Sequence, residues 1–367
     1  MLSILIFCKT LLKGGAEKQA LTLSKLLTEK KIDIILINWC GDKIDTANLD
    51  YIKNNSIKYI GLKGNPIMKL IHFLKIIKNE RISIILSYLT LANFIAGITK
   101  LFHRKLLTIG GIRTEKLPFY KFFFEKLVHN YLNDATVFNN FSARDKFERK
   151  GFNPGKIYVI HNTIHVPPLE KNNKPKDGIN IISVSRFVKP KDFRTALYSF
   201  KQLIEKKRRE KLKYYIVGYG PLENEIRLLV RHLNLNNEVE ILINPPNIPD
   251  ILKTCDIYLS TSLYEGLSNS IMEAMVAGLP IIATNVGDNR YLIKDAFNGF
   301  IVPCRDINSI VEKLEYLTNF ENVRNEFGNN SHFIIENAFS EEKLIENYFN
   351  LFSKMSLSER YKKRRVN

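Results

Sequence analysis

Residues 260–289, STSLYEGLSNSIMEAMVAGLPIIATNVGDN, lie within a complete strand–helix–strand pattern. An apolar run at 256–260 leads into them, a helical pattern covers 269–277, and a second apolar run follows at 280–283. The AGLP sequence at 277–280 ends the helix and starts the next strand. Short apolar strands joined by a helix are typical of a parallel sheet that is covered on both faces.

The same alternation of apolar runs and helical patterns extends on both sides of this stretch. A segment rich in Pro, Lys and Asn at 163–178 interrupts it and is predicted to be a linker. The two series predict an α/β protein with two doubly wound parallel-sheet domains that face each other across a cleft. Strands are predicted at 2–8, 32–37, 57–61, 82–87, 105–109, 134–138, 179–184, 213–217, 238–242, 256–260, 280–283 and 299–302. Helices are predicted, among other places, at 16–30, 67–79, 119–132, 192–207, 221–233, 269–277 and 306–318.

The composition is that of a globular protein with an unusual charge. The chain has 367 residues, of which 45% are hydrophobic and 25% are charged. These values fit about two domains and exclude a fibrous or disordered chain. The net charge is +18, which predicts attraction to polyanions such as phosphorylated substrates, anionic lipid or nucleic acid. The four cysteines are too far apart in sequence for a small disulfide scaffold or a cysteine zinc site.

Two loops that follow predicted strands carry residues suited to phosphate. Gly14 and Gly15 lie where the first strand turns into a helix, and helix amide groups favour an anion there. A tight turn without a ligand is the alternative interpretation. Arg186 and Lys191 follow the strand at 179–184, where a guanidinium and an ammonium can clamp a diphosphate. Two solvated surface cations are the alternative for that pair.

The loop after the strand at 256–260 combines two carboxylates with the start of a helix. Glu265 closes the loop and Gly266 permits a sharp turn. Residues 268–270 (SNS) are typical of a helix start, whose free amide groups attract anions. Glu273 falls in the first turn, where a carboxylate gains about 0.3–1 kcal/mol from the helix dipole. A helix-capping role therefore explains the presence of Glu273, but it does not explain the combination of polar residues and glycine from 265 to 273.

Together these motifs resemble the retaining glycosyltransferases of the GT-B fold, specifically glycosyltransferase family 4, the group 1 glycosyltransferases. The Glu-x7-Glu signature of that family corresponds to Glu265 and Glu273. The similarity covers nearly the whole chain and is strongest at 180–303. The matching segments are GGAE at 14–17, SRFVKPKDF at 185–193, VGYGPLENEI at 217–226 and EGLSNSIMEAMVAGLPIIATNVGDN at 265–289.

The resemblance implies that a nucleotide-sugar donor binds in the second domain and that no other cofactor is needed. Arg186 and Lys191 would bind the diphosphate, Glu273 would hold the ribose hydroxyls, and Glu265 would hold the donor sugar. Gly218 and Gly220 would shape a wall near the nucleoside. The implied donor-binding residues are Gly15, Arg186, Lys191, Gly218, Glu265, Gly266, Leu267, Ser268, Asn269 and Glu273, and the implied catalytic residues are Glu265, Arg186, Lys191 and Arg113.

Two departures from the family pattern concern the acceptor side. Many relatives carry a histidine in the region that reads LLTIGGIRTEKLP at 106–118 of this chain, and Arg113 is the nearest polar candidate. In the linker motif, Asn162 is followed by Thr163 where the family has glycine.

The resemblance also divides the chain into an acceptor-side domain at 1–165, a donor domain at 166–338, and a final helix at 339–356 that crosses back to the first domain.

The implied reaction is sugar transfer with retention, in which the departing phosphate assists deprotonation of the acceptor on the same face. Stabilising the diphosphate is then the main catalytic task. No Asp-x-Asp motif occurs in the chain, so Arg186, Lys191 and the helix start are expected to replace a metal ion. The expected donor is a UDP-hexose or UDP-N-acetylhexosamine. The expected acceptor is a glycan or lipid-linked oligosaccharide of a bacterial envelope polysaccharide: capsule, O-antigen or lipopolysaccharide.

Two segments suggest contact with an anionic membrane. The pattern FYKFFFEKLVHNYL at 119–132 has a broad aromatic face, which fits either a core-facing helix or a helix in the membrane interface. The tail at 357–367 contains five Lys and Arg residues, which anionic lipid would attract. No apolar run is long enough to span a bilayer. We therefore expect a cytoplasmic protein at the inner face of the inner membrane.

Three other functions compete with sugar transfer. A nucleotide-sugar epimerase of the same fold would need an additional acid–base pair, which the sequence does not identify. A nucleic-acid-binding protein would fit the charge, but the chain has no basic motif interleaved with aromatics and no recognition-helix pattern. A dinucleotide oxidoreductase is disfavoured because no G-x-G-x-x-G follows the first strand of either domain.

Overall fold

The structure is a computed structural model that describes residues 2–114, 117–169, 178–207 and 211–364, with side chains described as far as 355. The chain forms two compact units. The first consists of Met1–Thr163 and Glu341–Asn367, and the second of Ile164–Ser340.

The first unit is built on a seven-stranded parallel sheet. Its strands are β1 (Ser3–Cys8), β2 (Asp33–Asn38), β3 (Tyr59–Gly61), β4 (Ile84–Tyr88), β5 (Leu107–Ile112), β6 (Ala135–Phe138) and β7 (Ile157–Val159). They are arranged in the order β3-β2-β1-β4-β5-β6-β7. The helices of this part are α1 (Gly15–Glu29), α2 (Thr46–Asn54), α3 (Pro66–Asn79), α4 (Thr90–Phe102), α5 (Phe119–Leu127) and α6 (Phe141–Glu148). The central strands β1 and β4 are buried along their whole length, which explains their continuous apolar sequences.

The second unit contains a six-stranded parallel sheet. Its strands are β8 (Ile179–Val184), β9 (Leu212–Gly218), β10 (Val239–Ile243), β11 (Ile257–Ser260), β12 (Ile281–Thr284) and β13 (Gly299–Val302). Their order is β10-β9-β8-β11-β12-β13. The helices are α7 (Phe193–Lys206), α8 (Glu223–His232), α9 (Ile248–Lys253), α10 (Asn269–Val276), α11 (Asn289–Leu292), α12 (Ile307–Asn319) and α13 (Glu321–Phe339). Two apolar clusters fill the opposite faces of this sheet.

The strand order of the second unit reverses between β8 and β11. These two strands are paired in parallel, with Ile257 opposite Ile181 and Tyr258 opposite Ile182. Chain connections leave in opposite directions from this point, so the loops after β8 and β11 lie side by side at the carboxyl edge of the sheet. Doubly wound sheets bind their ligands at this kind of switch point.

The final helix, α14 (Glu341–Arg364), belongs to the first unit. Its apolar residues enter the same core as β1 and α1, while Lys25 of α1 forms an ion pair with Glu341 at 3.8 Å. The side chains of the basic tail at 357–367 lie outside the described residues. The core residues contributed by α14 are Leu344, Ile345, Tyr348, Leu351, Phe352 and Met355.

The predicted α/β class with two parallel-sheet domains is confirmed. The elements differ from their predicted bounds in two informative places. The strand predicted at 105–109 runs to Ile112 because Gly110 and Gly111 remain in the sheet, where a Cβ at Gly111 would lie 2.9 Å from the Ser87 carbonyl. The helix predicted at 119–132 stops being α-helical after Leu127 and continues as a π-helical turn. Within the described residues, no helix combines the length and apolar composition needed to cross a bilayer.

A buried polar network joins α4, α5 and β5 in the first unit. Asn93 accepts from Gly111 N at 3.1 Å and donates to both carboxylate oxygens of Glu125 at 3.1 and 3.2 Å. Glu125 is 3% exposed. Burial raises the pKa of its carboxyl from 4.5 to about 7, and hydrogen bonds from Asn93 and Thr90 offset only part of that effect. Glu125 therefore connects two helices, and the folding free energy lost by ionising its buried carboxyl depends on pH.

Replacing Glu125 tests how much the buried carboxyl lowers the free energy of unfolding at high pH. The pKa of Glu125 is higher in the folded than in the unfolded chain, so its ionisation opposes folding as pH rises from about 4.5 to about 7. We expect Glu125→Gln, which keeps the size and hydrogen-bonding groups, to raise the free energy of unfolding by up to about 3 kcal/mol near pH 8 and by much less near pH 5. Urea unfolding at the two pH values measures the difference. The exposed Glu148 of α6 provides the matched control Glu148→Gln, and an equal gain at both pH values for Glu125→Gln would contradict the assignment.

Candidate functional site

Two loops at the carboxyl edge of the second sheet form the candidate site. Thr261, just after β11, donates through Oγ1 to the backbone oxygens of Lys191 at 3.1 Å and Asp192 at 2.9 Å. The backbone N–H of Leu263 donates to the carbonyl of Pro190 at 2.7 Å. These hydrogen bonds attach the loop after β11 to the loop after β8. The two predicted clusters of polar residues are therefore neighbours in space.

An ion pair connects the side chains of the two loops. The Lys191 ammonium pairs with Oε1 of Glu265, and Ser262 Oγ donates to the same oxygen at 2.9 Å. The paired side chains are only 15% and 13% exposed, so water screens their attraction less than on an open surface. Glu265 is thereby held by a cation and a hydroxyl. An ammonium has three hydrogen-bond donors, so Lys191 can also contact a phosphate oxygen while it keeps its ion pair with Glu265.

The Arg186 loop packs closely against the glycine-containing loop after β9. At Gly218, φ is +152° and a Cβ would lie 1.9 Å from the carbonyl oxygen of Ser185. At Gly220, a Cβ would lie 2.6 Å from the carbonyl oxygen of Phe187. Only glycine permits this approach of the two backbones. The contact fixes the backbone from which the exposed Arg186 side chain extends.

A third loop supports the Glu265 turn from β12. Gly287 has φ +53°, and a Cβ there would lie 2.1 Å from the carbonyl oxygen of Glu265. The next residue, the buried Asp288, donates its backbone N–H to the carbonyl of Gly266 at 3.1 Å. Glycine at 287 is thus required for the position of the Glu265 loop. This role was not predicted from the sequence, because the contact joins residues on different loops.

Helix α10 begins directly after this turn. Ser268 is its N-cap, and Ser268 Oγ accepts from the N–H of Ile271 at 3.5 Å and lies 3.3 Å from Ser270 Oγ. Ser268 is buried, whereas Asn269, the first helical residue, is exposed. The first amide groups of a helix lack intrahelical acceptors, and the dipole adds partial positive charge. The start of α10 is therefore suited to an oxygen-rich anion.

Tyr258 of β11 is a buried neighbour of the candidate site that was not predicted from the sequence. It is buried, and its hydroxyl donates to the carbonyl of Val184 at 3.1 Å. Burial raises the pKa of the Tyr258 phenol, and the charges of Glu265 and Glu273 raise it further. Tyr258 therefore stays neutral close to both glutamates. The sequence shows only a tyrosine inside an apolar strand, and packing in the core accounts for that pattern equally well.

The two candidates of the first unit lie at the carboxyl ends of β1 and β5. Gly15 is exposed at the start of α1, and a Cβ there would meet nothing within 4 Å. Arg113 donates through Nη2 to the hydroxyl of Tyr348 at 3.3 Å, and its guanidinium lies 5.1 Å from the Tyr88 ring centre. Its buried Nε has no partner among the described residues. Arg113 thus keeps an unused donor beside two tyrosines.

The structure gathers most predicted donor-site residues around one loop and one helix start in the second unit, with Arg186 and Gly218 on the adjoining loops. Gly15 and Arg113 belong to the first unit. The residues at the β11–α10 turn are Glu265, Gly266, Leu267, Ser268 and Asn269, and Lys191 joins them through its ion pair. Glu273 was predicted in the first turn of α10, but the helix begins at Asn269, so Glu273 lies past that turn.

Comparison with known proteins connects this geometry to a family. The family model of group 1 glycosyl transferases matches residues 169–332. The UDP-Gal:alpha-D-GlcNAc-diphosphoundecaprenol alpha-1,3-galactosyltransferase of Escherichia coli is 32% identical over 147 residues, 40% of this chain and 38% of that protein. The capsular polysaccharide biosynthesis glycosyltransferase CapM of Staphylococcus aureus is 24% identical over 365 residues, 90% of this chain and 93% of the relative.

A solved structure shows the same fold over nearly the whole chain. Anabaena Alr3699/HepE, crystallised in complex with UDP, matches with a TM-score of 0.79 and 16% identity, covering 96% of this chain and 100% of that one. At this identity the likeness establishes the fold alone. Taken with the family model matched at 169–332 and the glycosyltransferase relatives, it shows that the chain has the two parallel-sheet domains of the GT-B fold and that its second unit is similar to the group 1 glycosyl transferases.

Proposed function

We propose that this glycosyltransferase moves a sugar, with retention of anomeric configuration, from a UDP-hexose or UDP-N-acetylhexosamine to a glycan or lipid-linked oligosaccharide. The product would enter a bacterial envelope polysaccharide such as capsule, O-antigen or lipopolysaccharide. The observation that carries the proposal is the Lys191–Glu265 pair beside the start of α10. It combines a cation, a carboxylate and helix amide groups where a doubly wound sheet binds its ligands.

The proposed chemistry depends on the charge of the leaving group. As the bond between the anomeric carbon and the phosphate oxygen breaks, negative charge develops on the UDP diphosphate. Arg186, Lys191 and the amide groups at the start of α10 would stabilise that charge. The acceptor oxygen forms the new bond on the face from which UDP departs, and its proton passes to the departing phosphate oxygen. UDP and the glycosylated acceptor are the products.

The two glutamates would have different tasks in this reaction. Glu265, held by Lys191 and Ser262, would orient the donor sugar through its hydroxyls, with the backbone of Gly266, Leu267 and Ser268 beside it. Glu273 would accept hydrogen bonds from the ribose hydroxyls. The ordered position of Glu265 supports an orienting role, because a group already fixed by its neighbours loses little freedom when the substrate binds.

The first unit would contribute Gly15 and Arg113. The open space at Gly15 supports close approach of the α1 start to a phosphate. Arg113 would replace the histidine of other family members, and its place after β5 supports this assignment. Both roles are implied by the resemblance to the family.

The donor and acceptor classes are supported by the names of the relatives. The Escherichia coli galactosyltransferase is described as using UDP-Gal and a diphosphoundecaprenol acceptor. A Campylobacter jejuni N-acetylgalactosaminyltransferase with a diphospho-undecaprenol acceptor is 24% identical over 345 residues, 88% of this chain and 92% of that protein. Because these relatives are transferases, the epimerase alternative is not favoured. A lipid-linked acceptor and the net charge of +18 support a position at the cytoplasmic face of the inner membrane.

Replacing each glutamate separates the two proposed tasks. We expect Glu273→Ala to weaken UDP binding by about 10- to 100-fold, the range for losing hydrogen bonds to a charged group. We expect Glu265→Ala to lower kcat more strongly while UDP affinity is retained, because Lys191 then has no competing carboxylate. Calorimetric UDP titration and slow hydrolysis of a UDP-sugar measure the two effects. Glu312→Ala, at a glutamate 71% exposed on α12, is the matched control, and wild-type behaviour of both site variants would contradict the assigned roles.

Metal dependence provides a second test. Because side-chain cations and helix amides are proposed to neutralise the diphosphate, we expect an enzyme treated with EDTA to keep its full rate of sugar transfer. Addition of Mg²⁺ or Mn²⁺ afterwards should give no more than a small change. Loss of activity on chelation and recovery with either metal would show that a divalent ion performs the task proposed for Arg186 and Lys191.

A further inference from the structure

Helix α5 exposes large aromatic side chains on one side and packs with the other. Phe122 faces inward, with its ring 5.3 Å from that of Phe147 and 5.5 Å from that of Phe152. Glu125, three residues later, is also buried. On the opposite side Phe119 is 87% exposed, and Phe123, one helical turn further on, is 52% exposed. The helix is thus amphipathic, with its aromatic outer face open to solvent.

The neighbouring helix α4 continues this apolar area. The Phe94 ring lies edge-on to that of Phe124, with 6.4 Å between ring centres. Leu91 precedes Phe94 by three residues and is exposed on the same side of α4. We call the combined area the aromatic surface; its residues are Leu91, Phe94, Phe119, Tyr120, Phe123 and Phe124. Contiguous exposed apolar area of this kind marks a site of interaction.

Lysine side chains lie beside the aromatic surface. Lys121 is exposed, with its ammonium 6.0 Å from the Tyr120 ring centre. Lys126 donates to the backbone carbonyl of Lys150 at 2.8 Å, and the ammonium of the exposed Lys150 lies 5.1 Å from the Phe122 ring centre, at the edge of α5. The only acidic residue between 119 and 132 is Glu125, and it is buried. A partner that complements this surface should therefore carry negative charge at its own surface and an apolar layer beneath that charge.

We propose that the aromatic surface of α4 and α5 enters the interfacial region of an anionic lipid bilayer. Aromatic rings and lysine side chains are suited to the boundary between headgroups and acyl chains. Anionic headgroups complement Lys121, Lys126 and Lys150, while the exposed rings reach the acyl layer. The inference rests on the proposed function for the choice of membrane, and it assigns the membrane contact to a defined surface of the first unit.

Vesicle binding by the full-length protein tests the proposal. We expect Phe119→Ser/Phe123→Ser to weaken binding to phosphatidylglycerol-containing vesicles by at least tenfold, while wild type binds weakly to pure phosphatidylcholine. The matched control is Phe320→Ser/Phe333→Ser, which removes two phenylalanines that are 47% and 60% exposed in the second unit. Equal vesicle binding by both double variants and wild type would overturn the assignment.

A fluorescent reporter keeps the test valid if the serine variant folds poorly. The chain has one tryptophan, Trp39, which is buried in the first unit. We expect Phe119→Trp to show a blue-shifted emission with anionic vesicles and strong quenching by brominated acyl chains. Phe333→Trp should show neither change. Absence of quenching in Phe119→Trp while the protein is bound to vesicles would overturn the proposal.

Two further outcomes separate this proposal from its alternatives. If wild type sediments as a dimer that Phe119→Ser/Phe123→Ser converts to a monomer, with vesicle binding unchanged, the aromatic surface pairs two copies and the proposal is wrong. UDP-sugar hydrolysis, measured without lipid, reports on the catalytic proposal alone. If hydrolysis is absent but vesicle contact through α5 is retained, the proposed function fails and the membrane surface stands.

Discussion

The structure depends first on the parallel pairing of β8 with β11. Because the strand order reverses there, two loops that are about 70 residues apart in sequence meet at one edge of the sheet. The Lys191–Glu265 ion pair and the contact of Gly287 with the Glu265 carbonyl hold those loops in one arrangement. The start of α10 is placed by the same turn. Contacts within the protein therefore fix the cation, the carboxylate and the helix amides in one place, which is the condition for electrostatic stabilisation of a leaving group.

Much of this arrangement could be predicted from local sequence patterns. Buried parallel strands give continuous apolar runs, and glutamate, serine and glycine in one loop indicated the α10 start. Contacts between distant loops could not be predicted, since nothing local to Gly287 or Tyr258 indicates that they lie near Glu265. The edge strand β7 has only three residues, and so short an apolar run does not distinguish a strand from a loop. For α5, aromatic residues occur on both faces, and the inward direction of Phe122 was decided by the rings of Phe147 and Phe152.

The two units present positive charge in different ways. In the second unit, part-buried Lys191 is oriented by Glu265 and Thr261 at the switch point. In the first unit, Lys121 is exposed beside an open aromatic area. A fixed cation stabilises a charge that develops at one point, whereas exposed surface cations favour an extended anionic surface. In the two proposals, the net charge of +18 would serve both a small phosphorylated donor and a membrane.

The central claim is that the diphosphate of a nucleotide sugar binds beside the start of α10. A crystal structure of the protein with a UDP-sugar tests it most directly. We predict phosphate oxygens within hydrogen-bonding distance of Arg186, Lys191 and the first amide groups of α10, with the ribose hydroxyls on Glu273. A nucleotide bound elsewhere in the second unit, or one whose diphosphate points away from α10, would contradict this claim.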